Sequence, residues 1–126
     1  MALDLITEQI TEIFDEYSRD MKRKVNNSVD KVGKESVNQL KANSPKKTGD
    51  YAKGWRLKRE RGRKGINDVT IHNATDYHLT HLLENGHVIR NKKGTYGRAP
   101  AHKHIKPVEE YFNSEVVAEI QRELEE

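Results

Sequence analysis

Apolar residues recur along the first forty positions with the spacing of one amphipathic helix. The members of this stripe are Ile6, Ile10, Ile13, Tyr17, Met21, Val25, Val29 and Val32. They span 26 residues in seven steps, and a mean step of about 3.7 residues is typical of a nearly straight α-helix rather than a left-handed coiled coil. Pro45 predicts a helix end near Ser44, because the residue before a proline avoids the helical region. The pattern predicts one helix over residues 3–43.

This predicted helix is long for a chain of 126 residues. Forty helical residues span about 60 Å, whereas a compact chain of this length has a radius of gyration of about 14 Å. The rest of the chain is therefore too small to cover the helix along its whole length. Either the helix bends near Gly33, its weakest position, or part of the stripe is buried against another subunit. We expect the second outcome.

The segment after Pro45 predicts short elements separated by turns. Thr48 is expected to cap a helical turn over residues 50–53. Alternating apolar and polar residues predict strands at residues 55–59 and 69–73, joined by a basic turn. Residues 77–85 are interpreted as a short helix that Gly86 ends.

The last third of the chain predicts a loop and a second long helix. Residues 90–99 are polar and contain Gly94 and Gly97, which favour a loop. Pro107 is expected to open a C-terminal helix, since proline is favoured at the first helical position. The interpretation is one domain over 1–126, divided into the long helix (1–43), a sheet with a short helix and loops (44–106), and the C-terminal helix (107–126).

Charge is distributed unevenly, although the formal net charge is only +3. Residues 1–20 contain six acids and one base, and residues 107–126 contain seven glutamates and one base. Residues 46–64 contain nine Lys and Arg against two acids. Acidic ends and a basic middle favour self-association, contact with nucleic acid, or both.

Composition excludes several kinds of site. The chain has no cysteine, which excludes disulfides, cysteine-based zinc sites and thiol nucleophiles. Its first residues lack the pattern of a signal peptide, and no window approaches the roughly 18 apolar residues of a membrane span. We expect folding in the cytoplasm and no membrane partner.

Candidate chemistry is sparse. The six histidines form no HExxH motif, so we interpret them as interface or buried hydrogen-bonding groups rather than metal ligands. Glu84 follows Leu82 and Leu83, and we interpret it as the partner of a nearby His or Arg. No GxGxxG or GxxxxGK[ST] motif predicts a nucleotide site. The sequence predicts no small-molecule substrate.

Three segments carry a family resemblance: SPKKTGDYAKGW (44–55), LLENGH (82–87) and RAPAHKHIKPVEEY (98–111). In order and spacing they resemble the tail-component or minor head–tail joining proteins of long-tailed bacteriophages, the HK-type gene-product-ten-like group. The resemblance covers roughly residues 1–120. It implies an α+β fold, with a long N-terminal helix and a C-terminal helix packed on a small, mostly antiparallel sheet. It also implies a protein that is not an enzyme and needs no cofactor.

Matching positions suggest structural roles. The residues carried over from the motifs are Ser44, Pro45, Thr48, Gly49, Leu83, Glu84, Gly86, His87, Pro100, His104, Ile105 and Pro107. We expect His87 and His104 to join Glu84 in one hydrogen-bonded cluster that ties the loop to the C-terminal helix.

The resulting hypothesis is a structural phage protein of the head–tail connector, or neck, that completes the tail or joins it to the head. It is expected to form a ring of copies, to contact other neck or tail proteins, and to lie at the head–tail junction of the virion after assembly in the host cytoplasm. The predicted contact residues are Arg56, Lys58, Arg59, Arg61, Arg63 and Lys64 on the basic turn, with Ile10, Tyr17 and Met21 on the helix. One alternative is a nucleic-acid-binding module that uses residues 46–64 for non-specific contact with DNA. Another is a metal-dependent hydrolase that uses the histidines.

Overall fold

The computed structural model describes residues 2–46, 49–91 and 93–125. Its helices are α1 (Ala2–Asn43), α2 (Asp50–Lys53), α3 (Thr80–Asn85) and α4 (Ile105–Glu125). Its strands are β1 (Trp55–Arg61), β2 (Asn67–Asn73), β3 (His87–Asn91) and β4 (Gly94–Ala99), and 3-10 turns lie at Arg63–Gly65 and Tyr77–Leu79. Long helices near both ends and small antiparallel sheets confirm the predicted α+β class.

Helix α1 is one uninterrupted helix of 42 residues, which spans about 63 Å at about 1.5 Å per residue. It continues through Gly33, which serves as a contact point for β1. A Cβ atom at Gly33 would lie 3.1 Å from Cδ1 of Leu57, so the bare glycine lets Leu57 pack directly on the helix. The predicted weak point of the helix is thus the place where the hairpin reaches it.

Helix α4 packs antiparallel to the inner part of α1. Lys31 on α1 pairs with Glu119 on α4 at 3.0 Å, and the Tyr111 hydroxyl donates to Glu35 at 2.7 Å. Glu119 is buried, and hydrogen bonds from Arg122 and Lys31 lower its pKa. The first fully buried residue among the described side chains of α1 is Ser28, and those of residues 9–20 are exposed. Helix α4 therefore covers the second half of α1 and leaves residues 9–20 open.

The four strands form two separate antiparallel hairpins. In β1–β2, Trp55 lies opposite Asn73 and Arg61 lies opposite Asn67. In β3–β4, His87 lies opposite Ala99, with a register irregularity between Val88 and Arg90.

The expectation of a polar loop over residues 90–99 is therefore wrong. Gly94 and Gly97 have φ of 139° and 102°, and both were interpreted as loop residues. They lie within β4, where Gly94 is opposite Asn91 of β3 and Gly97 lies between the paired residues Thr95 and Arg98. The C-terminal helix also begins at Ile105, two residues before the predicted Pro107.

The small core lies where α1, α2, β1 and α4 meet. Its buried members are Val37, Leu40, Tyr51, Trp55 and Val108. Leu57, Ile71, Leu79, Leu83 and Ile105 are partly buried around them. The described side chains of residues 9–20 are absent from this core, so Ile10, Ile13 and Tyr17 contribute nothing to the burial of the interior.

Candidate functional site: assembly surfaces

The three segments that carry the family resemblance converge on one buried cluster. From the first segment, the Trp55 indole donates to the Ser44 hydroxyl at 2.7 Å. The Tyr51 hydroxyl lies 2.6 Å from Nε2 of His104, which belongs to the third segment. Tyr51 meets the rings of Trp55 and His104 edge to face, with centroids 5.6 Å and 5.5 Å away. Burial raises the pKa of Tyr51 to about 12, which keeps this hydroxyl protonated at neutral pH.

Glu84, from the second segment, caps the N-terminus of α4. Its Oε1 accepts the backbone N–H groups of His104 and Ile105, both at 2.9 Å, and its Oε2 accepts that of Lys106 at 3.0 Å. Burial alone would raise the pKa of Glu84, but the hydrogen bonds from the three backbone N–H groups outweigh it and hold that pKa below its ordinary value. Pro107 follows without an N–H, so the first turn of α4 leaves no donor there to satisfy. This cap explains why α4 begins before the proline.

His104 joins the expected cluster and His87 does not. Nδ1 of His104 lies 2.7 Å from the His102 carbonyl oxygen, to which it must donate. Its Nε2 is then the acceptor for Tyr51. By contrast, Nδ1 of His87 is buried and has no hydrogen-bond partner among the described residues. Glu84 and His104 therefore belong to the hydrogen-bonded link to the start of α4, and His87 does not.

The other motif residues lie in turns around this cluster. Gly49 precedes α2 with φ of 88°. Gly86 has φ of 76°, and a Cβ there would lie 2.7 Å from the Ala99 carbonyl oxygen, so only glycine fits. Pro45 is half-buried after α1, and Pro100 is exposed before α4. Thr48 lies outside the described residues. These positions shape the turns around the cluster.

The first half of α1 is the most exposed apolar surface of the described chain. Every described side chain from residue 9 to residue 20 is exposed; we call this stretch the outer segment of α1. Ile10, Ile13 and Tyr17 are 47%, 66% and 64% exposed, whereas Met21 is half-buried. Three of these four large apolar side chains therefore face solvent on one helix.

The β1–β2 hairpin holds the predicted basic residues, but in different settings. Lys58 pairs with Glu60 at 2.8 Å, and Arg59 pairs with Asp30 of α1. Arg56 is exposed and donates to the backbone oxygens of Lys53 and Trp55. Arg61 and Lys64 are also exposed, and the side chain of Arg63 lies outside the described part. Arg59 therefore anchors the hairpin to α1, and Arg56, Arg61 and Lys64 are the better contact candidates.

The tip of this hairpin is clamped to α1 by one amide side chain. Asn26 donates from Nδ2 to the Gly65 carbonyl oxygen at 2.9 Å, and its Oδ1 accepts the Asn67 N–H at 2.8 Å. These two bonds act together with the Arg59–Asp30 pair. The hairpin is consequently held against the middle of α1 rather than projecting freely.

Sequence reasoning missed a second basic segment. Residues 86–108 contain six Lys and Arg and no Asp or Glu. This stretch forms the β3–β4 hairpin and the loop before α4, with Arg90 and Arg98 exposed. The absence of acids over these positions was visible in the sequence, but the loop assignment hid that Arg90 and Arg98 lie on paired strands of one hairpin.

An apolar groove opens between α1, the β1–β2 hairpin and α4. Its volume is about 270 Å³, and its lining residues are Leu40, Trp55, Val69, Ile71, Ile105, Val108, Glu109 and Phe112. Val69, Ile71 and Phe112 are only partly buried. The chain therefore has an open apolar acceptor beside its core as well as an uncovered apolar stripe.

The described histidines form no candidate metal site, although the ring centroids of His102 and His104 lie 5.7 Å apart. Among the described residues, no group of three or more His, Asp or Glu side chains could hold a metal ion. No helix in the described part of the chain is long and apolar enough to cross a membrane.

Comparison with known proteins gives one match. The family model described as "Bacteriophage HK97-gp10, putative tail-component" matches residues 8–86, which is more than half of the chain. A search of curated proteins found no match, and a search of solved structures found none either. The matched region contains α1 from residue 8 onward, the β1–β2 hairpin and α3 with Glu84.

Proposed function

Since the chain belongs to the HK97-gp10-like family of bacteriophage tail components, we propose that it is a structural protein of the head–tail connector that acts as several copies in a ring. A tail component is part of the virion and contacts other tail proteins. The finer proposal is that this chain completes the tail or joins it to the head. The observation that carries it is the uncovered outer segment of α1.

The exposed stripe supports a role in assembly on energetic grounds. Burying a side chain such as Ile or Val is worth about 1.5–3 kcal/mol each. Monomeric proteins rarely leave a contiguous apolar patch open unless it binds something. Ile10, Ile13 and Tyr17 lie on one face of a helix that the rest of the chain cannot reach. Burying this face against a neighbouring molecule in the particle would contribute this free energy to assembly.

The charge distribution supports contacts between different surfaces of successive copies. The outer segment carries Glu12, Asp15, Glu16 and Asp20 against Arg19, whereas the β1–β2 hairpin is basic. A contact between unlike surfaces is heterologous, and it closes into a ring when the rotation between copies permits. A neck component built in this way would use α1 and the hairpin in every copy.

Non-specific contact with DNA is the second candidate function. Exposed Arg61 and Lys64 favour it, as phosphate binding requires only a density of Lys and Arg. The ion pairs of Lys58 and Arg59 weigh against it, because their charges are already partly neutralised within the chain. Salt-dependent DNA affinity that disappears in a variant of residues 61 and 64 would favour this function instead.

Charge reversal at the hairpin is expected to block the joining of heads to tails. In a phage that lacks this gene, the wild-type chain should restore joined particles, and the double variant Arg61→Glu, Lys64→Glu should not. We expect the altered contact to weaken by about tenfold or more, since like charges across an interface repel. Plaque titre and electron microscopy of particles measure the result.

The matched control is Lys41→Glu with Lys106→Glu, which changes charge equally at exposed positions away from the hairpin tip. This control should restore joining. Normal joining by the Arg61, Lys64 variant would contradict the assigned contact surface. Normal joining without the gene would contradict the connector role itself.

A further inference from the structure

We propose that the outer segment of α1 from one copy occupies the apolar groove of a second copy, so that copies associate head to tail. The inference deepens the proposed ring, on which it rests, by naming the donor and acceptor surfaces. The donor is the stripe that contains Ile10, Ile13 and Tyr17. The acceptor is the groove between α1, β1–β2 and α4.

The donor has the spacing of a helix that binds in a groove. Such helices present anchors at positions i, i+3, i+4 and i+7. Ile10, Ile13 and Tyr17 occupy positions i, i+3 and i+7 of that spacing. The acceptor is lined mainly by aliphatic and aromatic side chains, including Trp55, Ile71 and Phe112. The two surfaces therefore match in chemistry.

The two surfaces cannot meet within one chain. Tyr17 and the groove residue Leu40 belong to the same uninterrupted helix. The 23 residues between them correspond to about 35 Å along the helix axis. A continuous helix cannot fold its own first half into a groove beside its second half. The stripe that enters the groove must therefore come from a second copy of the chain.

Charge favours this occupant and fixes how it would lie. On a helix of about 3.6 residues per turn, Glu16 and Asp20 lie on one side of the donor stripe. The β1–β2 hairpin, which borders the groove through Trp55, Val69 and Ile71, has six Lys and Arg against two acids over residues 55–73. The α4 wall instead presents Glu109 and Glu110. The acidic side of the entering helix should therefore face the hairpin and turn away from α4.

The arrangement gives each copy one donor and one acceptor at opposite ends of its long axis. When the donor of one copy enters the groove of a second copy, the donor of the second copy is still free. It can enter the groove of a third copy in the same way. Such a heterologous contact generates a closed ring or an open filament. A symmetric contact of stripe against stripe would stop at a dimer and leave the groove empty.

Mixing two defective variants distinguishes these arrangements. Tyr17→Asp removes the donor at an exposed position, and Val69→Arg blocks the acceptor. Sedimentation equilibrium should show that the wild-type mass rises above 14.6 kDa with concentration, while each variant alone remains a monomer. An equimolar mixture should form a 1:1 complex of twice that mass that grows no further, because one intact donor then meets one intact acceptor.

Controls keep the test decisive. Val117→Asp removes another exposed apolar side chain, 54% exposed on α4 and outside the groove, and should associate like the wild type. Circular dichroism checks folding, and Phe112→Lys replaces Val69→Arg if that variant does not fold.

A wild-type chain that stays monomeric, a groove variant that associates normally, or a mixture without a 1:1 complex would overturn the inference. None of these results bears on whether deletion of the gene prevents joining, which tests the proposed function separately.

Discussion

Trp55→Ala is expected to lower the free energy of unfolding by about 3–5 kcal/mol, the range for removing a large buried aromatic side chain. Trp55 is 4% exposed, packs edge to face on Tyr51 and donates to Ser44. Small domains have total stabilities of about 5–15 kcal/mol, so the variant should lose a large share of its stability. Because Trp55 is the only tryptophan, urea unfolding is followed by circular dichroism.

Two controls separate packing from other effects. Trp55→Phe keeps an aromatic ring but removes the indole donor, so it should cost less than the alanine variant. All variants are compared in the Tyr17→Asp background, because self-association would add stability to the folded state. An average substitution lowers the free energy of unfolding by about 1 kcal/mol. If Trp55→Ala lowered it by no more than that, the result would contradict the placement of Trp55 at the centre of the core.

Glu84→Ala is expected to lower the free energy of unfolding by about 2–3 kcal/mol, the scale for losing hydrogen bonds to a charged group. Three backbone N–H groups at the start of α4 lose their acceptor. Glu84→Gln retains one acceptor oxygen and no charge, so its free energy of unfolding should lie between those of the wild type and Glu84→Ala. Equal stability of all three proteins would contradict the cap.

The same cap predicts a dependence on pH. The pKa of Glu84 is lowered from its ordinary 4.5 in the folded chain. The stabilising contribution of the Glu84 carboxylate is therefore fully present above the ordinary pKa of 4.5. It is lost as the pH falls through the lower pKa of the folded state. Asp20, Asp30, Glu60 and Glu119 also have lowered pKa values, so acid weakens every variant. The difference between wild type and Glu84→Gln should nevertheless shrink in acid, and an unchanged difference would contradict the account.

Periodic apolar residues were enough to predict the long elements. The stripe from Ile6 to Val32, with Pro45 after it, predicted α1 with nearly correct ends, and Pro107 predicted a helix that corresponds to α4. Alternation around Trp55 and Ile71 predicted β1 and β2. These patterns are local, so a single sequence contains the information needed to recognise them.

Features that depend on pairing between distant segments were beyond the sequence. Gly94 and Gly97 favour a loop locally, and only pairing with β3 places them in a strand. Nothing in the spacing of residues indicates that Arg59 meets Asp30, or that His87 lies apart from Glu84. The groove requires Leu40, Ile71 and Phe112 from three elements to come together. Its existence follows from tertiary packing alone.

Photo-cross-linking from position 17 in assembled particles tests most directly whether the outer segment of α1 binds another molecule of the assembly. With p-benzoylphenylalanine in place of Tyr17, irradiation should join two copies of the chain, and mass spectrometry should locate the second attachment near Val69, Ile71 or Phe112. The same group at Val117 is the control and should not label the groove. Particles in which position 17 reacts with no other polypeptide would contradict the account.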